Sequence, residues 1–127
     1  MYTHVMVGAD DIARSKSFYD AIFAELSIAP GNMDALGRAV YLTQQGMFVV
    51  TRPIDGGPAT SANGGTIGFA AASPEAIDDW HSAGLAHGGT TCEDPPGWRA
   101  SEFGDLYAAY LRDPAGNKIC ALYMGGR

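Results

Sequence analysis

The chain has 127 residues, 46% hydrophobic and 17% charged, a balance that suits one folded domain and excludes a disordered or membrane-embedded chain. Its net charge of −6 comes from 14 acidic residues against 8 basic ones scattered singly, so no basic patch offers itself to nucleic acid. Two cysteines, Cys92 and Cys120, in a chain with this much apolar material predict free thiols rather than a disulfide.

Residues 2–7 alternate polar with β-branched or apolar side chains, the pattern of a strand with one buried face. This stretch carries no basic region, long apolar run or small-residue cleavage site, and the expectation is a cytoplasmic protein that does not engage a membrane. Asp10 and Asp11 offer an N-cap, after which Ile12, Tyr19, Ile22, Phe23 and Leu26 fall on one helical stripe until Pro30, Gly31 and Asn32 break it. Strands are predicted over 38–43 and 47–52, joined tightly through Gln44, Gln45 and Gly46.

The stretch from Pro53 to Gly65 is rich in Pro, Gly, Ser, Thr and Asn, which supplies turns but nothing to pack, and reads as a linker. The order then repeats. Residues 66–70 form a strand, and Ser73 and Pro74 start a second helix as cap and first helical residue. Ile77, Trp80, Gly84 and Leu85 are its expected buried stripe, Gly88 and Gly89 its stop, and His87 a partner of its C-terminal dipole. Laid over one another, the halves match Thr3 with Thr66 and His4 with Ile67, and Phe18 meets Trp80 after a shift of one residue. Such a duplication predicts an α+β domain over 1–127, with module one at about 1–53, a linker at about 54–64, module two at about 65–127, and a ligand cleft between the modules.

Two strand-like runs then flank Asp113-Pro114-Ala115-Gly116-Asn117, whose centre is hairpin turn chemistry. This turn, the N-terminal His4-Val5 and the Ser17-Phe18-Tyr19 run in the first helix together resemble the vicinal oxygen chelate superfamily of glyoxalases, bleomycin-resistance proteins and extradiol dioxygenases, over nearly the whole chain. The resemblance implies two βαβββ modules curling into an open barrel, often in a homodimer. It does not fix an activity, because the family includes isomerases, dioxygenases, transferases and binding proteins.

In metal-using members a divalent ion is held from four strand positions, which the resemblance carries onto His4, Val49, Ile67 and Cys120. Only His4 is a usual ligand; Val49 and Ile67 have no lone pair, and His4 with Cys120 gives two donors where catalytic zinc uses three. His81 and His87 stand six apart, which does not share a helix face, and Glu93, Asp94 and Glu102 read as solvated loop residues. No cofactor is expected. Alternation adds Met6, Phe69 and Leu122 to a mainly apolar pocket; Trp98 and Arg99 could close over it, and Tyr110, on the opposite strand face from Tyr107, could line it. The expected function is metal-independent binding of a small organic ligand. The alternative is a lyase, isomerase or dioxygenase that uses a divalent metal on His4 with unusual donors such as Cys120, Glu102 or groups of a partner chain.

Overall fold

The computed structural model describes residues 1–127 and has an α+β architecture. In chain order the elements are β1 (His4–Gly8), α1 (Ile12–Ala24), β2 (Asn32–Met33), β3 (Ala39–Thr43), β4 (Gly46–Thr51), β5 (Ile67–Ala70), α2 (Pro74–Ala86), β6 (Thr90–Thr91), β7 (Gly97–Arg99), β8 (Leu106–Arg112) and β9 (Lys118–Tyr123). One sheet has the strand order β1-β4-β3-β2; the other runs β5-β9-β8-β6, with β7 also paired to β8. In each the first and last strands of a module pair in parallel and the rest antiparallel. No helix is long and apolar enough to cross a membrane.

Helix starts follow their caps. Asp11 accepts from the Arg14 amide and Ser73 from the Ala76 amide, each satisfying a donor the helix leaves open. Helix α1 stops at Ala24, earlier than the break at Pro30 suggests. Ser27 takes φ +62, and the amides of Leu26 and Ile28 both return to Phe23 O, closing the helix before its apolar pattern ends. In α2 the buried stripe is Ile77, Trp80 and Gly84; Leu85, one residue further round, is 42% exposed and does not belong to it. His87 is the C-cap, with Nδ1 2.8 Å from Ala83 O. The strand at 97–99 replaces the loop expected around Trp98, and β2 and β6 are too short to leave a periodic signal.

One face of each sheet backs onto the helices. Val5, Val7, Tyr41, Phe48 and Val50 from the first sheet and Ile67, Phe69, Leu111, Ile119 and Ala121 from the second join the same core. Phe69 packs across the modules, edge-on to Phe23 at 4.9 Å and to Phe48 at 5.4 Å. At the helix crossing Gly84 lets the two helices close, since a Cβ there would strike Leu111 and lie 3.3 Å from Ile22 and Phe18.

The Asp113–Asn117 turn is more than a hairpin end. Asp113, 3% exposed, accepts from the Tyr19 hydroxyl of α1 at 2.6 Å and from Asn117 Nδ2 on Oδ2, and from the Ala115 and Asn117 amides on Oδ1. The Asn117 side chain also donates to Gly8 O at the end of β1. A turn of module two thus latches onto a helix and a strand of module one. Burial and the adjacent Asp113 carboxylate hold the Tyr19 phenol well above its ordinary range, so it remains a donor.

Candidate functional site

At the opposite end of β1 from this latch lies a cavity of about 320 Å³, bordered by the first residues of β1 and β5. Its interior is apolar: Val5, Phe23, Tyr41, Phe48, Ile67 and Phe69 all belong to or pack on the core. Ile28, which follows the early turn out of α1, also lines it. Tyr41 offers only its ring, because its hydroxyl donates to Asp20 Oδ1 at 2.7 Å; burial and that carboxylate keep the phenol neutral. Polar groups come from exposed residues, Thr3, His4 and Gln45. The His4 ring meets Thr3 Oγ1 through Nδ1 at 2.9 Å, which leaves Nε2 without a protein partner.

The ten residues singled out from sequence do not gather in one place. His4, Ile67 and Phe69 line the cavity. Met6 and Val49 are register partners on the face of the first sheet turned away from the helices. Tyr110, Cys120 and Leu122 occupy the corresponding face of the second sheet, where Tyr110 and Gly68 both pair with Cys120. Trp98 packs edge-on against Tyr107 at 5.3 Å, with the Arg127 guanidinium over its ring. The Arg99 side chain is consumed by the carbonyls of Gly97, Asp94 and Pro95.

The repeat itself needs a correction of one residue. The caps Asp11 and Ser73, the helix ends Ala24 and Ala86, and the amides of Ala9 and Ala71, which close each parallel strand pair, all lie 62 residues apart. His4 therefore corresponds to Thr66, not Ile67, and Ile67 to Val5, which explains why Ile67 and Phe69 face the helices. The other register rests only on the identity of Thr3 with Thr66. Val49 and Cys120 are genuine counterparts, paired with Met6 and Gly68 respectively.

A divalent metal does not fit this donor set. The four positions hold one imidazole, one threonine hydroxyl, a valine and a thiol whose pKa burial pushes up to about 11, away from the thiolate that binds metal. Nowhere do three His, Cys, Asp or Glu side chains come together with a metal-binding geometry. What the sequence could not show is the role of Phe23, Ile28, Tyr41 and Phe48 as cavity lining, since each reads as ordinary core.

Comparison with solved structures settles the lineage. A glyoxalase/bleomycin resistance protein from Albidiferax ferrireducens T118 is 56% identical to this chain, covers 98% of it and 99% of itself, and superposes with a TM-score of 0.95. The chain belongs to the glyoxalase/bleomycin resistance family. It shares the fold of more distant structures too: a glyoxalase-related enzyme from Fulvimarina pelagi (16% identity, 98% and 88% of the two chains, TM-score 0.73) and a lactoylglutathione lyase from Agrobacterium tumefaciens (21%, 97% and 92%, 0.64). No family model and no curated protein matches the sequence. Within the family's vicinal oxygen chelate fold, the substrate of this chain is unassigned.

Proposed function

We propose that this family member is a metal-independent binder of a small, largely apolar organic molecule, held in the cavity between the starts of β1 and β5. The observation that carries the reading is the lining itself. Aromatic and aliphatic side chains from both modules converge on about 320 Å³ with His4 as the single side chain offering a free metal-ligating nitrogen, which suits a flat apolar ligand and gives a divalent ion too few donors. His4, exposed and with Nε2 free, supplies one polar contact that orients such a ligand. The same reading makes the protein a cytoplasmic homodimer. Unpaired Cys92 and Cys120 suit a reducing compartment, and Leu42 (77% exposed) and Met6 (41%) on the outward face of the first sheet supply apolar surface for a second copy.

The test uses the neutral fluorophore N-phenyl-1-naphthylamine, whose emission rises in apolar surroundings. Saturable binding is expected, unchanged by EDTA, and weakened about tenfold or more by Ile67→Trp, which fills the cavity from its partly exposed edge. Light scattering on the same samples reads the dimer. A stoichiometric divalent metal that EDTA removes together with binding, or full affinity in Ile67→Trp, overturns the proposal.

A further inference from the structure

A second cavity, polar and about 530 Å³, lies at the latch end of the molecule, where the first turn of α1, the 53–65 connection and the β8–β9 turn meet. Two arginines from different modules line it, Arg14 and Arg112, together with Thr60, Ser61 and Thr90. Gly88 and Gly116 also line it. A Cβ on Gly88 (φ +96) would stand 3.9 Å from Nε and Nη2 of Arg14, so that guanidinium reaches across from α1 to the end of α2. A Cβ on Gly116 (φ +95) would stand 3.7 Å from Ser61 Cβ, and the Gly116 carbonyl accepts from Arg112 Nη1 at 3.0 Å.

The charges are what make this arrangement informative. The ion pairs of the chain engage Lys16, Arg38, Lys118 and Arg127, and none engages Arg14 or Arg112. The Arg14 side chain makes no hydrogen bond at all, and Arg112 spends one of its donors. The carboxylates nearby keep their charge but turn it on other donors: Asp10 Oδ1 holds the Ala59 amide, Asp11 caps α1, and Asp113, which also lines the cavity, accepts the four hydrogen bonds of the latch. In a chain of net charge −6, two guanidiniums outside any ion pair and three hydroxyl-bearing side chains thus line one cleft, with the almost fully buried Asp113 carboxylate at its back.

We propose that this cavity binds the phosphate group of a small phosphomonoester. Three terminal oxygens carrying most of two negative charges can engage both arginine forks and the threonine and serine hydroxyls at once, whereas a planar carboxylate satisfies one fork. The volume exceeds what a bare phosphate needs and leaves room for a polar organic remainder. This site is separate from the apolar cavity and does not depend on how that cavity is used.

Calorimetric titration at low salt with glycerol 3-phosphate, inorganic phosphate and glycerate separates the possibilities. Glycerol 3-phosphate is expected to bind more tightly than either of the others, with affinity falling as salt rises. Arg14→Gln, on an exposed side chain with no hydrogen bond or ion pair to lose, is expected to weaken it about tenfold, and Ser61→Asp to abolish it, while Ile67→Trp leaves it unchanged. Both variants should melt as the parent does without ligand. Absence of binding, equal affinity for glycerate, or undiminished affinity in Arg14→Gln overturns the assignment.

Discussion

Removal of one oxygen atom tests whether the latch joins the two modules. In Tyr19→Phe the ring stays in its fully buried place among Phe18, Phe23 and Phe48, so packing is retained and only the donor to Asp113 Oδ2 is lost. Asp113 is almost completely enclosed, so bulk water has no direct access to replace the hydroxyl. A hydrogen bond to a charged group contributes about 1.5–3 kcal/mol, and the carboxylate oxygen keeps only its bond from Asn117, so a loss of about 2 kcal/mol is expected. For a domain of this size that lowers the melting temperature by roughly 6–10 °C. Urea unfolding should show a lower midpoint with an unchanged slope, since the surface exposed on unfolding is the same. A double-mutant cycle with Asp113→Asn should return a coupling of about 1 kcal/mol or more. A loss under about 0.5 kcal/mol in Tyr19→Phe, or an additive cycle, would falsify the idea that this contact ties module two to module one.

Gly84→Ala sets two effects against each other. Alanine gains about 1 kcal/mol in helix propensity, but its Cβ meets Leu111, Ile22 and Phe18 at the helix crossing, and the expected net result is a destabilisation of about 1–2 kcal/mol, eased by a second change Leu111→Val. A neutral or stabilising Gly84→Ala in urea titration would show that the crossing is looser than its geometry. Alkaline stability tests Cys120: burial pushes its folded pKa up to about 11, above the ordinary thiol value of 9.0, so between these values the folded form retains a proton that the unfolded chain has lost, and stability falls as pH rises through the window. The decline attributable to this thiol is about 1–2 kcal/mol, and Cys120→Ala should unfold with a shallower dependence on pH between 9 and 11. An identical slope in parent and variant would contradict that assignment.

The parts of the fold legible in the sequence are those governed by local chemistry. Ser73 and Pro74 begin α2, Asp11 begins α1, and Asp113 to Asn117 turn a hairpin, each because side-chain oxygens or a fixed φ act on their immediate neighbours. The end of α1 was hidden because Leu26 and Ile28 still pack on the core after the helix has stopped, so the apolar pattern continues without the hydrogen bonding that defines the element. The candidate site was less legible for a sharper reason. In a strand an error of one residue exchanges the two faces, and matching His4 to Ile67 instead of Thr66 placed Ile67 and Phe69 on the barrel side of their sheet. They reach the cavity nonetheless, from the helix side and beside residues of module one that nothing in the sequence connects to them.

The structural repeat puts the same strand arrangement to use at two ends of the molecule. In module one the last two strands are joined by a tight turn, and Thr43, Gln45 and Gly46 at that turn line the apolar cavity. In module two the same connection is lengthened to the Asp113–Asn117 turn, which grips Tyr19 and the end of β1 and borders the arginine cavity. The two hairpin ends therefore act at opposite ends of β1, whose five residues span roughly 13 Å. At the latch end the modules are joined by short, directional hydrogen bonds around a buried carboxylate, an arrangement that tolerates little displacement. At the other end the tie is the packing of Phe69 on Phe23 and Phe48, which is non-directional and is also a wall of the cavity. A ligand entering there adds apolar contacts between the modules where the chain supplies fewest polar ones. On the proposed binding function, a ligand stabilises the fold by RT ln(1 + [L]/Kd), so Tyr19→Phe at the far end should lose about the same stability with and without N-phenyl-1-naphthylamine in paired urea titrations, and a loss that changes with ligand would show that latch and cavity are coupled.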